Sequence, residues 1–200
     1  MRQDRTRALY AYWDSLRGER LAPERGEVEP GELAELLRDM FILAPDASGE
    51  WCLRLAGTRI CAFFGRELKG EAFTGLWHAG DRPDVARMVT GCAAEQSPTV
   101  AGVDGLTHDG EAVTFELLTL PLRHQGRNNL RMIGGLFPFS RSPLTLRAPL
   151  TSLSLVSFRS ISGNPQEQRR GLIRTPVLPP DVPRRRHGHL TILDGGRDTQ

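Results

Sequence analysis

Residues 99–138 hold three strand-like runs divided by two short polar turns, and this limits what the rest of the chain can build. TVAGVDGLT runs into a turn at Asp109-Gly110. EAVTFELLTLPLRH carries Val113, Phe115, Leu117 and Leu118 ahead of Pro121, and LRMIGGLFPFS (130–140) follows the polar loop HQGRNN. Turns this short join neighbouring strands in antiparallel fashion, because a parallel return needs a crossover of about a dozen residues or more. A three-stranded antiparallel meander is the expectation.

The upstream pattern adds two strands and several helices. FILAP (41–45) and WCLRLAG (51–57) read as a hairpin across the turn ASGE, with Trp51, Leu53 and Leu55 alternating against Cys52 and Arg54. Thr58 suits the N-cap of a short helix, RICAFFG, closed at Gly65; a second short turn or helix runs to Trp77. Asp81, with Pro83 just behind it, opens a longer helix to about Gln96 that turns Val85, Met88, Val89 and Cys92 inward. At the N-terminus, Leu9, Tyr12, Trp13 and Leu16 share one helical face with Tyr10 at its edge, and Gly18 stops the helix. A second helix, PGELAELLRDM, places Leu33, Leu36, Leu37 and Met40 on one side.

The expected fold is α+β: a five-stranded antiparallel sheet with short helices on one face, the other face left to a partner or to the two N-terminal helices. The divisions are flanking helices at 1–40, the sheet domain at 41–142, and a C-terminal extension at 143–200.

Charge follows the same division. Residues 1–140 hold 16 basic and 20 acidic side chains, whereas residues 141–200 hold 10 arginines and 4 acids. The body is mildly acidic and the extension basic, partly disordered by composition, with HLTILDGG reading as a docking strand near 189–194. Three scattered cysteines offer neither a disulfide framework nor a zinc motif, and the charged N-terminus lacks the apolar centre of a signal peptide. No apolar run is long enough for a membrane span, so a cytoplasmic protein is expected.

The stretches RALYAYWDSLRGERLAPERGEVEP, CLRLAGTRICAFFGREL, FELLTLPL and HLTILDGG resemble the stand-alone PAS-like family described from alphaproteobacteria. The resemblance implies the PAS fold and a small sensory or adaptor protein connected to bacterial signalling, motility and cell-cycle control. It implies no particular ligand. Within that fold the hairpin-to-helix corner at 51–70 forms one wall of the core, and in ligand-binding members it lines a pocket.

Candidate sites follow. Phe63, Phe64, Trp77, Met88, Cys92, Phe115 and Leu117 would surround an apolar pocket or a filled core, for which no cofactor is required. His78 is the candidate axial ligand should the pocket hold haem. Cys61 departs from the motif of a flavin-reactive cysteine. No GxSxG, HExxH or P-loop pattern is present, and no catalytic residue can be named, so a non-catalytic protein is expected. Tyr10, Tyr12 and Trp13 are candidate anchors for a signalling partner or a homodimer through the N-terminal helix. Arg184, Arg185 and Arg186 are candidate anion contacts, for a nucleotide, a nucleic acid or an acidic partner. They lack the interleaved aromatics and helical frame of a sequence-specific DNA reader.

Overall fold

A computed structural model describes residues 1–124, 127–139 and 146–161, the side chains of residues 124 and 127–130 excepted. Its elements are helix α1 (Asp4–Arg17), strands β1 (Met40–Pro45) and β2 (Trp51–Ala56), helices α2 (Thr58–Phe64) and α3 (Arg82–Ala94), and strands β3 (Thr99–Thr107), β4 (Ala112–His124), β5 (Arg127–Pro138) and β6 (Leu150–Ser160). All six strands form one sheet in the order β2-β1-β5-β4-β3-β6, every neighbouring pair antiparallel.

The expected meander is β3-β4-β5, and the expected hairpin is β1-β2. The sheet has six strands rather than five. The sixth, LTSLSLVSFRS, comes from the segment assigned to the basic extension and pairs with β3 from Thr99↔Ser160 to Thr107↔Leu150. Its Leu-Ser alternation is a strand signal that the surrounding arginines and prolines obscure. The expected docking strand near 189–194 lies outside the described residues.

The second N-terminal helix is also corrected. Residues 30–39 form two 3-10 turns, Pro30–Leu33 and Leu37–Asp39, and Met40 already belongs to β1. Tertiary contacts override the helical spacing here. A Cβ at Gly57 would overlap the Leu37 and Arg38 carbonyl oxygens, so that turn is pressed against the start of α2, with Asp39 fully buried behind it. Leu33 is buried, whereas Leu37, expected on the same face, is 40% exposed.

Strand details follow from close contacts. The alternation expected in β2 breaks at a bulge: Leu43 pairs with Leu53 but Ile42 with Leu55, which leaves Arg54 extra and Leu55 exposed. In β5 a Cβ at Gly134 would overlap the Phe41 ring, and one at Gly135 the Phe137 ring. The Gly-Gly pair is therefore where aromatic rings lie directly on the strand. Pro121 is tolerated inside β4 because pairing with β3 ends at Thr119. Beyond it the connector takes that edge, with Arg123 donating its amide to Pro23 O at 2.9 Å.

Helices cover both faces. On the inner face, α2, the 3-10 turn Phe73–Leu76 and α3 bury Phe63, Phe64, Phe73, Trp77, Met88 and Cys92 against Leu43, Leu53, Phe115, Leu117 and Leu153. On the outer face, Leu9 and Trp13 of α1, with Ala22 and Leu33, bury Leu118, Leu120, Leu122, Ile133 and Phe137. Both outer strands are partly shielded. Leu53 of β2 bonds through its amide to Glu71 O and through its carbonyl to the Gly70 amide. Across the sheet, Leu153 O of β6 accepts from the His78 amide at 2.8 Å, and Asp81 Oδ2 from the Leu155 amide at 3.1 Å. Such cover keeps open backbone groups from pairing with another chain.

Candidate functional site

The structure brings together seven of the eight pocket candidates. Phe63, Phe64, Trp77, Met88, Cys92, Phe115 and Leu117 are all buried in the inner-face cluster, with Phe63 edge-on to Phe115 at 5.0 Å between centroids. The eighth, His78, is exposed on the surface, where its Nδ1 accepts from the Gly80 amide at 3.3 Å. The cluster has a polar component that the sequence did not signal. Trp77 Nε1 and Thr119 Oγ1 are buried without a hydrogen-bond partner. A buried donor left unpaired costs about 1–3 kcal/mol, which an acceptor or a water at Trp77 Nε1 would relieve.

The cysteines are not activated. Burial pushes the Cys92 thiol up to about 11, and its Sγ donates to Thr119 O at 3.6 Å. Burial likewise raises the Cys61 thiol, which is placed against Ala56 O and Glu67 Oε1. A thiolate nucleophile needs the reverse, an electropositive and partly open setting. Among the described residues no group of three or more His, Cys, Asp or Glu is arranged to hold a metal ion. No helix among them is long and apolar enough to cross a membrane.

The outer face carries the second candidate site, the docked helix α1. Its apolar side is occupied by the sheet. Trp13 is buried and its Nε1 donates to Pro121 O at 2.8 Å, so Trp13 has no surface to offer a partner while α1 stays docked. Tyr10 and Tyr12 remain half-buried at its margin, Tyr10 with its ring 6.0 Å from that of Trp13 and Tyr12 with its hydroxyl accepting from the Glu29 amide at 2.8 Å.

Two acidic residues hold the start of α1, and sequence spacing pointed to neither. Glu116 of β4 accepts the Arg2 amide at 2.7 Å on Oε1 and the Gln3 amide at 2.9 Å on Oε2. These are the amides of the N-cap residue and of the residue before it, so the carboxylate from the sheet anchors the chain where it enters α1, at the end of the helix that favours negative charge. Burial works against the charged form of Glu116, but the Arg2 and Gln3 amides, the Thr6 hydroxyl and the N-terminal charge together outweigh it and hold the carboxyl below its usual pKa. Asp39, fully buried, meets Arg5 of α1 at 2.9 Å, Arg59 of α2 at 3.1 Å and Arg38 at 3.9 Å. Burial is the larger influence on this carboxyl and raises it, against the pull of Arg59, Arg5 and Arg38. Through Asp39 the outer helix and the inner helix share one ion-pair centre.

Arg184, Arg185 and Arg186 lie outside the described residues.

Among solved structures, the fold is similar to a light-oxygen-voltage domain studied with a flavin analogue. That likeness has 16% identity and a TM-score of 0.45 over 56% of this chain and 84% of that one. It is also similar to the dark structure of the blue-light photoreceptor Aureochrome1 LOV, with 16% identity and a TM-score of 0.43 over 55% of this chain and 80% of that one. A third likeness is to an RNA-binding light-oxygen-voltage receptor, with 18% identity and a TM-score of 0.40 over 58% of this chain and 35% of that one. No curated protein matches the sequence. A family model described as PAS domain matches residues 1–137, a span that includes α1, both helical layers, β1–β4 and all of β5 but its last residue. The chain belongs to the PAS domain family.

Proposed function

We propose that this protein is a non-catalytic sensory or adaptor module in cytoplasmic bacterial signal transduction, working through contacts with a signalling protein, and that α1 is the layer that moves. The observation that carries the reading is the dual tether of α1. The two residues leading into it are held by Glu116, and Arg5 of its first turn is held by Asp39, which also binds Arg59 beside the interior cluster. A change in the interior that shifts α2 alters the Asp39 centre and so the docking of α1. A partner or ligand that prefers one arrangement then biases the other, as differential affinity requires. Undocking would release the Trp13 face beside Tyr10 and Tyr12, a set of aromatic anchors suited to a homodimer or a signalling partner. Motility and cell-cycle control are the processes such a module would serve.

The test is a comparison of partners recovered by the full-length protein and its Tyr10→Asp and Tyr12→Asp variants, alongside their masses in solution. The reading expects a defined complex or a dimer that weakens by about tenfold or more in the variants. A strict monomer with the same recovered proteins in every variant contradicts it.

The unpaired Trp77 Nε1 and Thr119 Oγ1 favour a second reading, a small apolar ligand with a hydrogen-bond acceptor taken into the inner-face cluster. Native mass spectrometry of the purified protein checks it: a bound mass supports this reading, and the bare chain mass alone removes it.

A further inference from the structure

The outer edge of β6 is covered over part of its length. Leu153 O accepts from the His78 amide and the Leu155 amide donates to Asp81 Oδ2, so both residues turn backbone groups away from β3 and find them partnered. Val156 is the extra residue of a β-bulge, since Ser157 pairs with Gly102 and Leu155 with Val103. One extra residue reverses the alternation of the strand. Beyond the bulge the phase is set by Ile161, whose amide donates to Pro98 O at 2.7 Å as the β3–β6 ladder continues. In an antiparallel pair successive residues direct their N–H and C=O groups alternately towards and away from the neighbouring strand. Ser157, Arg159 and Ile161 therefore face β3, and Phe158 and Ser160 face outward. Among the described residues no group pairs with those outward amides and carbonyls. The Ser160 hydroxyl meets Ser97 Oγ at 2.7 Å, a contact that leaves its backbone open.

The side chains around this stretch differ by face. Phe158 is half-buried and packs against the inner-face cluster. Arg159, on the outer face, is exposed and has no ion-pair partner among the described residues. Arg2, Asp104 and Glu116 line the same groove. Glu116 is taken up by the Arg2 and Gln3 amides. Asp104 lies about 13 Å along β3 from Val100, the residue paired with Arg159. Strand β6 has no Pro, no Lys and no inward charge, so apart from the bulge it lacks the usual devices that keep an open edge from pairing.

We propose that the Phe158–Ser160 edge is where an extended strand of the signalling partner adds to the sheet, with an acidic side chain opposite Arg159. It rests on the partner contact proposed above and lies apart from α1. The open backbone groups hold any extended chain, and the flanking side chains select which one. A second copy of β6 fits poorly. The antiparallel register that uses all the open groups pairs Phe158 with Ser160 of the other copy and sets Arg159 opposite Arg159, and like charges directly opposite destabilise a strand pair. A strand with an apolar residue beside Phe158 and an acidic one beside Arg159 satisfies both faces.

Backbone-amide NMR of the full-length protein, titrated with the synthetic peptide acetyl-Thr-Val-Asp-Val-Thr-amide and its counterpart with Lys for Asp, tests this. The expected result is shifts centred on residues 156–160, with the Asp peptide binding about fivefold more tightly and the order of the two peptides reversed in Arg159→Glu. The proposal is overturned if neither peptide shifts these amides at millimolar concentration, if both bind equally, or if Arg159→Glu leaves their order unchanged. It is equally overturned if the Phe158 and Ser160 amides are already protected from hydrogen exchange in the protein alone, since the edge is then occupied. Such a failure leaves the α1 reading standing, because the Tyr10→Asp and Tyr12→Asp comparison reads a different surface.

Discussion

Single residues show where the sheet has no slack. A Cβ at Gly134 would overlap both the Phe41 ring and the Leu118 carbonyl oxygen. Gly134→Ala is therefore expected to destabilise the protein by about 1–3 kcal/mol, the usual cost of overpacking, as measured by urea unfolding. A change below about 0.5 kcal/mol would mean that Phe41 can move aside. Glu116 gives a pH prediction. Its folded pKa is depressed, so its contribution is complete above the pKa of the unfolded chain, about 4.3, and is lost as pH falls through the lower folded value. Glu116→Gln should cost about 1–2 kcal/mol near pH 7 and flatten the acid limb of the stability profile. The Gly-Gly pair was visible in the sequence but not its reason, because the rings that need it come from β1 and from two residues further along β5. Glu116 was invisible as a cap, since its partners lie 114 and 113 residues away. The burial of Trp13 was half legible: periodicity named the apolar face of α1 without saying what covers it.

At the scale of elements, local patterns served well where turns are short and failed where distant segments meet. The β1-β2 and β3-β4-β5 pairings, α2 with its left-handed Gly65 cap, and α3 follow from alternation, helical spacing and Gly or Pro punctuation. The helix expected at 30–40 gave way to 3-10 turns because the Gly57 contact and the burial of Asp39 both act on that stretch from elsewhere. Strand β6 is the larger omission, and its attachment is specific. Pro149 would touch any Cβ at Gly65, Trp77 bridges Leu153, and Asp81 accepts the Leu155 amide in place of a capping bond within its own helix. Asp81→Ala should loosen β6 by about 1 kcal/mol, seen as faster hydrogen exchange across residues 150–160 with α3 little changed. Equal acceleration in α3 would show that Asp81 serves the helix rather than the strand.

For the whole molecule, one sheet separates two apolar clusters, with Asp39 joining the helical layers around them. That arrangement underlies the proposed sensory role: the inner cluster can take up a change, and α1 on the far side can report it. Hydrogen exchange of α1 in the full-length protein, wild type against Glu116→Gln, tests this most directly. The account predicts exchange across residues 4–17 at least about fivefold faster in the variant, with α3 and the β4-β5 pairing unchanged, as separate local opening requires. Exchange that rises uniformly over the chain, or not at all in α1, would contradict a tethered helix that moves independently of the sheet.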